Sequence, residues 1–245
     1  MRKHIGSCCG NSFLIMDCIH GKISRAKKVE IARRDLSKYR VDSLLILERS
    51  ANDSLMVEIF ERNGAESDSC GNGALLIAKF LDLSQGVIEM KGGIIEVASN
   101  EKRLAVRMNI SATDIREVNG SRHCLFVRAG EPHLVYFVDN IGGWNLMEAG
   151  ANLQAEYPSG INVNAISRIK DFCYSIKTYE RGVLAETKSC GTGALASYMA
   201  LAHLDNCLYK ERVELRSVCG SHWVSRYGDI LQLEVLKDCC EIRCL

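Results

Sequence analysis

The feature that most constrains the fold of this sequence is an internal repeat. The heptapeptide Ser-Cys-Gly-Asn-Gly-Ala-Leu at residues 69–75 recurs as Ser-Cys-Gly-Thr-Gly-Ala-Leu at residues 189–195, an offset of 120 residues. The same offset relates Gly10 to Gly130, each of which is followed by an apolar run. An aromatic-Glu-Arg triplet precedes both heptapeptides, and here the offset slips to 119. Matches at nearly one offset along the chain predict two similar structural units.

Local patterns within each unit predict a mixture of strands and helices. Short apolar runs predict strands at 43–47, 55–60, 93–97 and 104–108. Longer Ala- and Leu-rich segments predict helices at 74–81 and 194–204, with an amphipathic helix at 25–34. We expect an α+β fold of two pseudo-symmetric lobes, residues 1–112 and 113–245. Each lobe would be a mostly antiparallel sheet around a central helix, with the active site in the cleft between them.

Composition argues against nucleic-acid and membrane partners. The 31 Lys and Arg residues balance 30 Asp and Glu residues, and aromatic residues are not interleaved with the basic ones. No apolar run approaches the roughly 18 residues of a spanning helix, and residues 1–10 lack the apolar core of a signal peptide. The expected location is the cytoplasm and the expected partner is a small molecule, while homodimer formation is left open.

Twelve cysteines are distributed along the chain, and no two have the C-x-x-C spacing that is typical of structural zinc sites. A disulfide framework is not predicted for a cytoplasmic protein of this length. Most of the thiols are therefore interpreted as small buried apolar groups. The exceptions are Cys70 and Cys190, which belong to the repeated heptapeptide.

Cys70 and Cys190 each precede a Gly-x-Gly sequence at a predicted helix start. Unpaired backbone N–H groups and the helix dipole at such a start lower the pKa of a thiol and bind a carboxylate. Two such units face to face would hold the α-carbon of the bound carboxylate between two sulfurs. One thiolate would remove the α-proton while the opposite thiol delivers another, which inverts the centre without a cofactor.

Other interpretations of the paired heptapeptides stay open. They could be helix-capping motifs around inert thiols, they could form a redox disulfide, or their glycines could cradle a phosphate. The Gly-Lys-Ser/Thr ending of a phosphate-binding loop is missing from both copies. The alternative to an enzyme is a thiol-redox or metal-binding module, and for the enzyme no metal is expected.

These motifs resemble the diaminopimelate epimerase family over essentially the whole chain. The two cysteine signatures of the family match residues 70–74 and the Glu-Arg-Gly…Glu-Thr-x-x-Cys-Gly-Thr-Gly-Ala pattern of residues 180–194. Shorter matches are Gly-Asn-x-Phe at 10–13, Pro-His at 132–133 and Asn-Val at 162–163. The resemblance implies a cofactor-independent amino-acid racemase or epimerase, with diaminopimelate as the leading substrate.

The resemblance also implies roles for the matching residues. Cys70 and Cys190 would be the acid/base pair, and His133 and Glu180 would orient and polarise the reacting amino-acid head. Asn162 and Arg181 would hold the far end of the substrate. The other residues implied in substrate binding are Asn11 and the backbone N–H groups of Gly71, Asn72, Gly191 and Thr192.

Two departures from the family pattern concern the far end of the substrate. Glu61 stands where the family usually has Asn, and Glu131 replaces the Asn of an Asn-Pro-His sequence. Two carboxylates would repel the second carboxylate of diaminopimelate unless Arg181 compensates, and they would attract a cation. The alternative substrate is therefore a basic amino acid such as histidine, lysine, arginine or ornithine.

Overall fold

The computed structural model describes residues 2–109, 114–205 and 210–245. The chain divides into two compact units, of which the first comprises Met1–Met108 and Leu236–Leu245 and the second Asn109–Val235. The lobe boundary predicted between residues 112 and 113 lies outside the described residues, and so does Cys207.

Strands dominate the described residues, with four α-helices among them. The helices are α1 (Arg25–Tyr39), α2 (Gly71–Phe80), α3 (Leu146–Glu156) and α4 (Gly191–Leu204). The strands are β1 (Arg2–Cys8), β2 (Asn11–Asp17), β3 (Ser43–Arg49), β4 (Leu55–Glu61), β5 (Glu66–Ser67), β6 (Gln85–Met90), β7 (Gly93–Ser99), β8 (Arg103–Asn109), β9 (Ile115–Val118), β10 (Ser121–Ala129), β11 (Glu131–Phe137), β12 (Asn162–Lys170), β13 (Cys173–Glu180), β14 (Ala185–Thr187), β15 (Val213–Ser217), β16 (Gly220–Tyr227), β17 (Ile230–Leu236) and β18 (Cys240–Cys244).

The first unit is a mainly antiparallel sheet that surrounds one buried helix. Its strands pair in the order β18–β1–β2–β3–β4, and β4 pairs further with β5 and with the β6–β7–β8 meander. The pairs β2–β3 and β4–β6 are parallel. Helix α2 contacts β1, β6, β7 and β18, and its residues from Asn72 to Ala78 are all buried. An apolar surface on all sides suits a helix at the centre of a core.

Helix α1 is amphipathic and packs on β2, β3 and β4. The Ser24 side chain caps its start by accepting the backbone N–H of the third helical residue. Ile31 and Leu36 join a cluster of buried residues from these strands. The helix predicted at 25–34 is confirmed and continues to Tyr39, where Arg40 ends it in the left-handed conformation (φ 55°).

The second unit repeats this topology element for element. Its strands pair in the order β9–β10–β11–β12–β13, and β13 pairs further with β14 and with the β15–β16–β17 meander. The parallel pairs are again the third pair of this order, β11–β12, and the pair that connects it to the meander, β13–β15. Helix α4 takes the place of α2 and contacts β10, β11, β12 and β16. The sequence repeat is therefore also a repeat of the fold.

The predicted α+β class is confirmed, and each predicted strand and helix is found. Helices α2 and α4 begin three residues earlier than predicted, because Gly71 and Gly191 form part of the first turn. The sequence does not predict α3. Only Leu146 and Gly150 of this helix are buried, so it lacks the apolar stripe that identifies a helix from sequence.

The C-terminal strand belongs to the first unit. Strand β18 pairs antiparallel with β1, which sets Cys8 opposite Cys240, and these residues form a disulfide with their Cα atoms 4.0 Å apart. From the sequence, this segment is expected in the second lobe and no disulfide is expected. Both expectations are corrected here, since pairing across a separation of 232 residues leaves no local sequence pattern. Cys18, Cys124 and Cys173 are buried free thiols as expected, whereas Cys244 is exposed.

Gly150 allows α3 to lie close to β13. A methyl group at this position would overlap the ring of Tyr179, which is itself buried. We expect Gly150→Ala to lower the free energy of unfolding by about 1–3 kcal/mol, because the enclosed ring has no room to move. Urea denaturation followed by circular dichroism measures the loss. Gly182→Ala is the control, since no described atom lies within 4 Å of its methyl position; an equal loss in both variants would contradict the prediction.

Candidate active site

Each cysteine of the repeated heptapeptide caps a buried helix through its sulfur. Cys70 Sγ accepts the backbone N–H of Gly73 at 3.3 Å, and Cys190 Sγ accepts that of Gly193 at 3.4 Å. The two cysteines have nearly the same backbone conformation, with φ/ψ of −150°/111° and −140°/114°. The sequence repeat thus produces the same local geometry in both units.

The first turn of each helix leaves backbone N–H groups at its open end. These groups have no carbonyl partner within the helix, and the helix dipole adds partial positive charge there. Such a helix start can bind an anion. The donors belong to the residues predicted to bind the substrate carboxylate, namely Gly71, Asn72, Gly191 and Thr192.

A carboxylate accompanies the second cysteine. Glu180 accepts hydrogen bonds from the Thr187 hydroxyl at 2.6 Å and from the Cys190 thiol. Burial and the Glu180 charge raise the pKa of Cys190 to about 12, against the smaller opposing effects of Thr192 and the Gly193 N–H. The lowered thiol pKa expected from the helix start is therefore wrong for Cys190, because desolvation outweighs the helix. Burial also raises the pKa of Glu180.

Helix α4 begins above a row of buried polar side chains. His133, Asn164 and Thr178 are 0%, 0% and 3% exposed. The Asn164 amide contacts His133 Nδ1 at 3.0 Å, and Asn164 Oδ1 accepts from the Thr178 hydroxyl at 2.9 Å. A methyl group on Gly193 would lie 2.5 Å from Asn164 Oδ1, so the helix rests directly on this network.

His133 is a neutral hydrogen-bond donor. Burial and the charge of Arg181 lower the pKa of His133 to about 3. Because the Asn164 amide donates to Nδ1, the ring proton is assigned to Nε2. Among the described residues no group accepts that proton. A buried donor without an acceptor costs about 1–3 kcal/mol, which makes it a candidate for binding a ligand oxygen.

The start of α2 rests on an apolar side chain instead. A methyl group on Gly73 would meet Leu45 Cδ2 at 3.2 Å, and Leu45 occupies the strand position that Asn164 has in the second unit. Asn72 Nδ2 donates to Asn11 Oδ1 at 2.6 Å. Within the described part of the chain, Asn72 Oδ1 has no donor although it is buried.

Glu131 and Arg181 form an ion pair in the second unit. The Arg181 guanidinium also donates to the Ser159 carbonyl at 3.0 Å, and its backbone N–H donates to Asn162 Oδ1 at 3.0 Å. Three predicted substrate-binding residues therefore lie together. The charge of Arg181 is already compensated by a carboxylate of its own unit.

Glu61 is held by two hydroxyl groups in the first unit. Ser67 Oγ donates to it at 2.7 Å and Ser43 Oγ at 3.2 Å. Glu61 is the last residue of β4, as Glu180 is the last residue of β13. The predicted proximity of Glu61 to the far end of the substrate stays a prediction.

Several polar residues near Cys190 are not predicted from the sequence. Asn164 and Thr178 lie directly opposite each other on β12 and β13, and two buried polar residues on neighbouring strands are a detectable signal once the strands are aligned. Thr187 has no such signal. Buried His222 contacts Ser189 Oγ at 3.2 Å, next to Cys190, and no spacing in the sequence relates these two residues.

Comparison with known proteins identifies the family. No family model matches the chain. The diaminopimelate epimerase of Methanocella arvoryzae is 30% identical in an alignment that covers 92% of this chain and 89% of that protein. The chain belongs to the diaminopimelate epimerase family. The diaminopimelate epimerase of Thermotoga maritima is also 30% identical, over 79% of this chain and 81% of that protein. The resemblance stated from the sequence is confirmed, and the chain is an isomerase.

A solved structure shares the fold of this family member. The PhzF-family phenazine biosynthesis protein of Bacillus anthracis superposes with a TM-score of 0.72 over 99% of each chain, at 14% identity. At that identity the likeness concerns the fold alone. No helix in the described ranges combines the length and the apolar character needed to cross a lipid bilayer.

The two helix-start glycines should differ in their tolerance of a methyl group. Gly193→Ala forces Asn164 Oδ1 and Thr178 Oγ1 away, so we expect a loss of about 1–3 kcal/mol in the free energy of unfolding and a matching loss of activity. Gly73→Ala meets the flexible end of Leu45, so we expect a change below about 1 kcal/mol. Urea denaturation of both variants tests this, and equal losses would refute the polar support assigned to α4.

Proposed function

We propose that this chain is a cofactor-independent amino-acid racemase or epimerase in which Cys70 and Cys190 are the two acid/base groups. The main support is the cysteine-capped buried helix, which occurs once in each unit with nearly the same backbone conformation. A single reactive thiol would suit nucleophilic catalysis. A matched pair suits proton transfer on the two faces of one carbon.

The proposed reaction removes one proton and adds another. One cysteine, as the thiolate, takes the α-proton, and the electron pair of the C–H bond passes into the α-carbon and its carboxylate. The other cysteine, as the thiol, then gives its proton to the opposite face. The two sulfurs have exchanged roles at the end of the turnover, so the reverse reaction uses the same groups. The mechanism requires both sulfurs to reach the same α-carbon.

Neutral donors would stabilise the charge that develops on the substrate carboxylate. In the proposal, the backbone N–H groups at the starts of α2 and α4 bind the carboxylate oxygens. His133 Nε2–H is buried, neutral and without an acceptor among the described residues, which supports a role as a further donor to the reacting amino-acid head. Glu180 would hold the Cys190 thiol in place through their hydrogen bond and accept its proton when the thiolate is needed.

Family membership favours diaminopimelate as the substrate. Relatives that are 30% identical over most of the chain are named diaminopimelate epimerases. For this substrate, Asn162 and Arg181 would hold the distal carboxylate, with Asn11 beside the head group. A cytoplasmic location belongs to the same proposal.

The ion pair between Glu131 and Arg181 favours a second candidate, a racemase of a basic amino acid. Arg181 already has a carboxylate partner, so a distal carboxylate on the substrate would have to compete with Glu131. The Glu131 side chain is 46% exposed and could instead receive an ammonium, guanidinium or imidazolium group. Histidine, lysine, arginine and ornithine carry such groups.

Deuterium incorporation from heavy water tests the proposed reaction. We expect the protein to label the α-carbon of diaminopimelate or of one basic amino acid, measured by mass spectrometry on a panel of both. Cys70→Ala and Cys190→Ala should each lower racemisation by about a hundredfold or more, because each removes one of the two acid/base groups. Cys-to-Ser variants should keep exchange on a single face, since one competent thiol survives.

Cys244→Ala is the matched control because Cys244 is an exposed free thiol outside the proposed site. It should keep the wild-type rate. Full racemisation by either Cys70→Ala or Cys190→Ala would rule out the two-base mechanism. A wild-type protein that labels no amino acid in the panel would refute the proposed function as a whole.

Replacing Glu131 with Asn decides between the two substrate classes. The change frees Arg181 from its ion pair, so we expect kcat/KM for diaminopimelate to rise relative to a basic amino acid by about tenfold, equivalent to about 1.4 kcal/mol. Steady-state kinetics on both substrates give this ratio. Glu156→Gln, on the exposed face of α3, is the charge control. An unchanged ratio in Glu131→Asn would show that Glu131 does not select the substrate.

A further inference from the structure

Two strand pairs, β4–β5 and β13–β14, carry the same arrangement of residues in the two units. In the second unit Tyr179 pairs with Glu186, and Glu180 follows as the last residue of β13. In the first unit Phe60 pairs with Glu66, and Glu61 follows as the last residue of β4. The segment between the paired residues is one residue longer in the second unit (180–185) than in the first (61–65), which explains the slip of the repeat from 120 to 119.

The hydroxyl group that holds each carboxylate is also equivalent. Ser67, the last residue of β5, donates to Glu61 Oε1 at 2.7 Å. Thr187, the last residue of β14, donates to Glu180 Oε1 at 2.6 Å. Three residues after each hydroxyl comes the helix-capping cysteine, in nearly the same backbone conformation. Carboxylate, hydroxyl and cysteine therefore form one repeated arrangement.

In the second unit Glu180 accepts a hydrogen bond from the Cys190 thiol. From the equivalent arrangement we infer that Glu61 is the positioning residue of Cys70, orienting its thiol and accepting its proton in the way proposed above for Glu180 and Cys190. The inference rests on the proposed function for the role of Cys70. It means that Cys70, like Cys190, has a carboxylate partner.

The surroundings of Glu61 suit this role better than that of a specificity determinant. Ser43, at the start of β3, adds a second hydroxyl donor at 3.2 Å. Two hydroxyl donors fix the carboxylate rotamer, which a positioning group requires. In the described residues, the carboxylate in contact with Arg181 is Glu131 rather than Glu61.

Site-resolved alkylation tests the inference on the full-length protein without any substrate. Wild type, Glu61→Gln and Glu180→Gln are treated with iodoacetamide across a pH series, and the modification of Cys70 and Cys190 is measured separately by peptide mass spectrometry. Removing a nearby carboxylate favours the thiolate. We expect Glu61→Gln to move the alkylation midpoint of Cys70 down by about one pH unit, a tenfold change in thiolate at low pH, and to leave Cys190 unchanged. Glu180→Gln should do the reverse.

Two further variants keep the test decisive. Glu66→Gln removes a carboxylate four residues before Cys70 and should leave both midpoints unchanged. Ser67→Ala loosens Glu61 without removing it, so it should move the Cys70 midpoint in the same direction by a smaller amount, and it replaces Glu61→Gln if that variant does not fold.

An unmoved Cys70 midpoint in folded Glu61→Gln or, in its place, Ser67→Ala would overturn the inference. A shift of both cysteines together, or an equal shift in Glu66→Gln, would also overturn it. Failure of the inference and failure of the proposed function can be told apart. Deuterium labelling by the wild type tests the proposed function, whereas the alkylation measurement needs no turnover and tests only the role of Glu61.

Discussion

The hydrogen bond from a backbone N–H to a cysteine sulfur at the start of a buried helix is the interaction on which this structure depends. Helices α2 and α4 form the cores of their units, and each cysteine sulfur accepts one of the backbone N–H groups that the first turn leaves without a carbonyl partner. Ser, Thr, Asp and Asn are the residues preferred for this cap, and cysteine is not among them. Capping alone would therefore be served better by another residue in both copies. The recurrence of sulfur at both helix starts therefore supports the thiol chemistry proposed above.

The two copies of the fold support their cysteines differently. Under α4 lies the row of His133, Asn164 and Thr178, whereas α2 rests on Leu45. A repeated backbone thus carries two distinct chemical environments, one polar and one apolar. In the proposed two-base reaction the two cysteines act on opposite faces of one carbon, and they do not need identical surroundings for that. The Glu–hydroxyl–Cys arrangement is the part that both copies share.

The repeat and the apolar runs were enough to predict the fold class, the two central helices and the strands around the cysteines. Each of these signals is local, or recurs at nearly one offset along the chain. Helix α3 is not predicted because it buries only Leu146 and Gly150. The Cys8–Cys240 disulfide is not predicted because it joins two strands that are far apart in sequence. At the site, the repeated motif predicts Cys190 and the family resemblance predicts Glu180, and both stay predictions, whereas the predicted direction of the thiol pKa is wrong for Cys190. A sequence shows that a helix starts at a cysteine, whereas burial of the sulfur and the adjacent charge depend on tertiary packing.

Because β18 belongs to the first unit, the first unit cannot complete its sheet early in synthesis. The second unit is inserted between β8 and β18, so all of its strands leave the ribosome before the first sheet is complete. During that interval the nascent chain carries β1 with one uncovered edge, next to a Cys8 thiol whose partner has not yet been synthesised. Open strand edges pair readily with the wrong chain. Completion of the first sheet therefore has to wait for β18, although β1 is translated first.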